Sequence, residues 1–206
     1  LSLHDALPIF CRTLGCKGYN EFKMALALDI QQGQPARQAG DEIDNVVDES
    51  VQALQDTARL LDRTLLEKAA LALHQAQSVQ IYGVAASAIL GEYLHYKLLR
   101  LGKPAQLFSD MHRAAMNATT LSSETLVVAI SSSGSTRDLL YVVKLARKRG
   151  VKVLALSNTP RSPLASLSDM QLVAAKPEGP LSAGALNAKV GVMLLVRSEE
   201  HTSELQ

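Results

Sequence analysis

From Ser78 onward, short apolar runs alternate with amphipathic stretches. The runs are VQIYG, PAQLF, TLVVAI, VKVLAL and MQLVA, and between them apolar residues recur at three- and four-residue steps. The pattern predicts strands at the runs, with helices to about Leu101, from about Met111, and from Thr136 to Arg149. A last helix begins near Ser182, with Leu186, Val190, Met193 and Leu194 as the core face of 183–196. Strands separated by helices are joined by right-handed crossovers, which gives a parallel sheet covered on both faces. The predicted fold is therefore α/β: a three-layer α/β/α domain over 78–196 with a five-stranded parallel sheet.

The chain ahead of this domain has a different rhythm. Tyr19, Phe22, Leu26 and Ile30 are spaced as on one face of a helix within 10–33. A linker-like stretch, GQPARQAG, runs from Gly33 to Gly40. Asp41 to Gln77 is rich in Ala, Leu, Asp and Glu, and Ile43, Val46, Val47, Val51, Leu54, Ala58 and Leu61 recur helically. Residues 34–77 read as a helical linker of one long helix or two, leading into the sheet domain.

Composition narrows the class. Of 206 residues, 47% are hydrophobic and 20% charged, with 21 Lys+Arg against 20 Asp+Glu. That balance, with apolar residues spread along the chain, argues against a disordered tail and a polybasic nucleic-acid arm. Cys11 and Cys16 have no partner at metal-ligand spacing and read as small buried thiols of a cytoplasmic protein. No apolar run reaches the length of about 18 residues that a membrane span needs. The first nine residues, LSLHDALPI, and the last ten, RSEEHTSELQ, resemble translated sequencing-adaptor DNA, so 1–9 and 197–206 are set aside. Arg197, Asp5, Glu199, Glu200 and Glu204 then drop out, and the remainder is mildly basic.

Ligands of an open parallel sheet bind beyond the carboxyl ends of the strands, where helix N-termini converge. After TLVVAI comes Ser131-Ser132-Ser133-Gly134-Ser135-Thr136, five hydroxyls and one glycine leading directly into a helix. Such a loop offers backbone N–H groups, the positive end of a helix dipole and rotatable O–H donors, which suits a phosphate. A single cap accounts for one hydroxyl, not five. The loop carries no Lys of a nucleotide P-loop, which argues against a nucleoside triphosphate with magnesium. After VQIYG the chain reads Gly83-Val84-Ala85-Ala86-Ser87, again small residues opening a helix, with Ser87 in its first turn. A dinucleotide fingerprint there would need glycine at 83, 85 and 88; the chain has Gly83, Ala85 and Ala88, although Asp110 stands where a ribose-binding acid would.

These residues resemble the sugar isomerase (SIS) domain, whose marks are a glycine-rich strand-to-helix turn ending in Ser and an S-x-S-G-x-T loop, here Ser131 to Thr136. YLHYKLLRLGKP, Asp110 and LALSNTPRSPLASLSD resemble it too, and CRTLGCKGYNEFKMALALDI is similar to the end of the winged-helix module of MurR/RpiR-type regulators. The resemblance implies a bacterial regulator, cut at both ends, in which 10–33 is the remnant of a helix-turn-helix domain and the SIS domain senses a phosphorylated sugar. By motif position Ser131, Ser133 and Thr136 would hold the phosphate, Ser132 and Gly134 would lend backbone, and Ser87 would contact the phosphate or a sugar hydroxyl. Gly83, Asp110 and Glu178 are further candidate ligand contacts. The resemblance also implies a homodimer or higher homo-oligomer that binds DNA through the module ahead of this chain, with no cofactor and no metal. Ala85 departs from the family turn, which usually has glycine there.

SIS domains also occur in aldose–ketose isomerases, which need a group to shuttle a proton between adjacent carbons. Glu178, in KPEGPLSAG, is the best-placed base by sequence, and His112 follows Asp110 at the end of the second strand. No assembled acid–base pair is readable, so a non-catalytic sensor is expected and the isomerase is the alternative.

Overall fold

The computed structural model describes residues 11, 16–18, 21, 22, 24, 25, 42–175 and 191–193. Glu178, most of the helix expected over 183–196 and most of 10–33 lie outside them. Two helices lead into the sheet domain, α1 (Glu42–Leu60) and α2 (Arg63–Gln75). Asp62 divides them: its carboxylate accepts from the Leu65 N–H at 3.1 Å, capping α2.

Five strands follow, β1 (Ser78–Gly83), β2 (Ala105–Phe108), β3 (Thr125–Ile130), β4 (Lys152–Ser157) and β5 (Met170–Val173). Between them run α3 (Ala86–Arg100), α4 (Met111–Ala118), α5 (Arg137–Arg147) and the short α6 (Pro163–Ser166). All strand pairs are parallel, in the order β2-β1-β3-β4-β5. Every residue of β3 is buried, as are the last five of β1 and of β4, which is why these strands read as largely apolar runs, with Gln80 the polar exception inside β1.

Alternation along each strand divides the core in two. Val79, Ile81, Leu126, Val128, Leu154 and Leu156 face α2 and α3, meeting Leu66, Leu73, Leu90 and Leu94. Tyr82, Val127, Ala129, Val153 and Ala155 face α4 and α5, meeting Ala114, Ala118, Leu139 and Val143. The three predicted layers are present. Tyr82 is fully buried, its hydroxyl donates to Asn117 Oδ1 at 2.8 Å, and desolvation raises its pKa well above that of a free phenol.

The helical spacing of the linker is borne out in α1, but its branched residues face outward. Ile43 is 67% exposed and Val46, Val47 and Val51 are also exposed; α1 instead buries Ala53 and Thr57. Thr57 has the shape of valine, so the covered side is set apart by its hydrogen-bonded hydroxyl and by the small Ala53 rather than by apolar bulk. At the far end of α2, Lys103 Nζ donates to the carbonyls of His74 and Ala76 at 2.7 and 2.8 Å. These are carbonyls that the end of the helix leaves unpaired, and a cation there also complements the dipole. Lys103→Met keeps the stem and removes both bonds; urea denaturation should show a loss of about 1–2 kcal/mol.

Candidate functional site

The strand registers align Gly83 with Ile130, Ile130 with Leu156 and Ser157 with Val173, so the strands end at one edge of the sheet. The loops beyond them share that edge. The chain leaves β1 towards β2 on one side and later returns to β3 on the other, so the crevice of this topology lies between the ends of β1 and β3. The two loops singled out by sequence flank it.

The loop after β3 is shaped from within. Ser131 is buried, and its Oγ accepts from the Gly134 N–H at 3.1 Å and lies 3.2 Å from Thr136 Oγ1. Gly134 turns the chain at φ +61°, a left-handed conformation that glycine adopts without cost. Ser133 and Ser135 stand exposed and brace one another: the Ser135 N–H donates to Ser133 Oγ at 3.2 Å and Ser135 Oγ donates to the Ser133 carbonyl at 3.3 Å. Thr136 is the N-cap residue of α5, yet its hydroxyl makes no capping bond. The structure thus sorts four of the five hydroxyls. Ser131 holds the loop, whereas Ser133, Ser135 and the half-buried Thr136 stand at its open side, at the positive end of the α5 dipole.

The loop after β4 clamps this one. The Asn158 N–H and Thr159 Oγ1 both donate to the Ser132 carbonyl at 3.1 Å, and the Leu164 N–H donates to the Gly134 carbonyl at 3.0 Å. Ser162 caps α6 by accepting from the Ala165 N–H at 3.2 Å. Asn158, Thr159 and Ser162 were not among the expected site residues. Ser162-Pro163 carries the signal of a cap followed by proline in a first helical turn, but nothing in a linear reading tells that this turn lies against Gly134.

On the other flank, the Ser87 N–H donates to the Val84 carbonyl at 3.0 Å, closing a turn whose second residue, Ala85, has φ 50° and ψ −126°. These are the angles of the second position of a type II′ turn, a place for glycine. Ser87 is buried in the first turn of α3, which lies directly over Gly83. Asp110 is exposed and caps α4: its Oδ1 accepts from the N–H groups of His112 at 2.8 Å and Arg113 at 3.3 Å, and these bonds hold its carboxyl below the usual aspartate range. Glu178 lies outside the described residues. Among the described residues no three of His, Cys, Asp and Glu come together as metal ligands.

Comparison with known proteins agrees with this fold. The SIS domain profile matches residues 72–198. The chain belongs to the SIS family. An uncharacterized HTH-type transcriptional regulator of Caldanaerobacter subterraneus subsp. tengcongensis is 28% identical over 195 residues, covering 91% of this chain and 69% of that protein. The bifunctional protein glk of Paraburkholderia xenovorans is 32% identical over 169 residues, which are 77% of this chain and 26% of that protein. Among solved structures, Vibrio vulnificus NanR complexed with ManNAc-6P is 45% identical with a TM-score of 0.81, over 96% of this chain and 72% of that one. This SIS domain therefore has HTH-type regulators among its relatives, and no described helix is long and apolar enough to cross a membrane.

Proposed function

We propose that the protein is a sugar-phosphate-responsive, DNA-binding transcriptional regulator of which this chain is mainly the effector-binding SIS domain. The observation that carries the reading is the open hydroxyl face of the β3–α5 loop at the N-terminus of α5, beside the crevice between β1 and β3. Ser133 and Thr136 take the phosphate, Ser132 and Gly134 present backbone, and Ser87 faces the sugar side. The 45% identity to a NanR complexed with ManNAc-6P makes an N-acetylhexosamine 6-phosphate the first ligand to test. DNA binding belongs to the helix-turn-helix module whose end lies in 10–33, and the protein acts in the cytoplasm as a homodimer or higher homo-oligomer, since half-site recognition requires symmetry.

The domain is read as a sensor rather than an isomerase on the strength of its HTH-type regulator relatives. Asp110, the one acid among the described residues of the loops at this edge, is engaged in capping α4, and Glu178, the candidate base, lies outside them. A thermal-shift titration with ManNAc-6P, alongside unphosphorylated ManNAc, tests the reading. The midpoint should rise with the phosphorylated sugar alone, by mass action, and Ser133→Ala/Thr136→Val should lose the rise. A rise with both sugars, or one that survives in the double variant, sinks the phosphate assignment; conversion of ManNAc-6P to another sugar phosphate, followed by NMR, would restore the isomerase.

A further inference from the structure

The hydroxyl loop and α1 are far apart in sequence, yet buried hydrogen bonds join them. Asn158, 5% exposed, donates its backbone N–H to the Ser132 carbonyl and its Nδ2 to the carbonyls of Ala174 and Ala175 at 3.3 and 3.0 Å. One residue thus grips the phosphate loop with its backbone and the exit of β5 with its side chain. The Ala175 N–H in turn donates to Thr57 Oγ1 at 3.0 Å, and that hydroxyl donates to the Ala53 carbonyl one turn back along α1 at 2.7 Å. Thr57 is fully buried. Gly191 covers it so closely that a methyl group there would come 2.6 Å from Thr57 Oγ1.

The attachment is narrow. Among the described residues of α1, Ala53 and Thr57 are the buried ones, and most of the rest of the helix is exposed. A helix held at one buried point can pivot there, and the polar bond at the pivot cannot be exchanged for water without opening the contact. We propose that Asn158 is a positioning residue that couples the phosphate loop to α1: a shift of Ser132 on ligand binding is passed through Asn158 and Ala175 to the Thr57 hydroxyl, and so to the helix that leads back to the DNA-binding module. The coupling rests on the sugar-phosphate reading for its trigger, but its wiring is present without ligand.

Hydrogen exchange by mass spectrometry on the whole chain, read over the peptides of α1, tests both parts. Without ligand, Thr57→Val and Asn158→Asp should each speed exchange in α1 several-fold, and the double variant should add little to either. Tyr82→Phe, which removes a part-buried hydrogen bond on the opposite face of the sheet, should leave α1 near wild type. The proposal is overturned if Asn158→Asp leaves α1 unchanged, if it acts no more strongly there than Tyr82→Phe, or if the two relay variants are additive. With saturating ManNAc-6P, wild type should change its α1 exchange by roughly fivefold or more, while Thr57→Val still binds but loses that response. Binding in wild type with no response in α1 also overturns the coupling. Absence of ManNAc-6P binding in wild type counts against the functional reading instead, and the ligand-free cycle then decides the relay alone.

Discussion

Replacing Gly134 with alanine is expected to abolish sugar-phosphate binding and to lower stability by about 2–3 kcal/mol, the sum of a backbone penalty and a steric one. At φ +61° an L-residue is strained, which costs about 1–2 kcal/mol. The added methyl group would also lie 2.5 Å from Ser162 Cβ and closer still to its hydroxyl. Ser162 must then move, and with it the cap of α6 that accepts from Ala165, worth about 1 kcal/mol. Two loop bonds meet at the same residue, the Gly134 N–H to Ser131 Oγ and the Leu164 N–H to the Gly134 carbonyl, so the displacement reaches the surface on which Ser133 and Thr136 stand. Gly150 supplies the control: its φ is +74°, but a methyl group there would meet nothing within 4 Å. Gly150→Ala should therefore pay the backbone penalty alone and keep ligand binding. Urea denaturation with isothermal titration of ManNAc-6P checks both variants. A Gly134→Ala protein that binds normally would show that the loop conformation does not make the site.

The sheet was legible in the sequence because its central strands are buried on both faces. Leu126 to Ile130 and Val153 to Leu156 are apolar throughout, and a run bounded by polar residues needs no knowledge of its neighbours to be recognised. The candidate site is legible only at the level of loops, since the hydroxyl-rich stretch follows a strand and precedes a helix. Individual roles are not. Ser131 and Ser133 are the same residue type two positions apart, yet one is inside the loop as its brace and the other outside, a difference set by the turn at Gly134. Asn158 and Thr159 act on the carbonyl of Ser132, more than twenty residues earlier, and only the pairing of β3 with β4 brings them together. In α1 the spacing of Ile43, Val47 and Val51 announced a helix correctly, but periodicity does not tell which side is covered. That side is marked by Ala53 and Thr57, which a search for large apolar residues passes over.

The turn after β1 makes opposite demands on two positions, and exchanging them one at a time should move stability in opposite directions. Gly83 has no room for a side chain: a methyl group would lie 2.9 Å from the Ser87 carbonyl oxygen and 3.1 Å from its carbon. Both are backbone atoms in the first turn of α3, so rotamer changes cannot relieve the contact. The end of α3 would have to lift from β1, loosening the packing of its buried Leu90 and Leu94 and moving Ser87 away from the crevice. Gly83→Ala should cost about 1–3 kcal/mol, the range of an overpacked interior site, and weaken ManNAc-6P binding through Ser87. Two residues on, Ala85 holds φ 50° and ψ −126° without a side-chain cap for α3. Strain of this kind costs about 1–3 kcal/mol, against about 0.4–1 kcal/mol for the extra freedom that glycine gives the unfolded chain. Ala85→Gly should therefore stabilise the protein, by about 1 kcal/mol on balance. If Ala85→Gly destabilises the chain, the strain at this turn is smaller than its angles imply; if Gly83→Ala is neutral, α3 is held less tightly against β1 than the packing of its first turn requires.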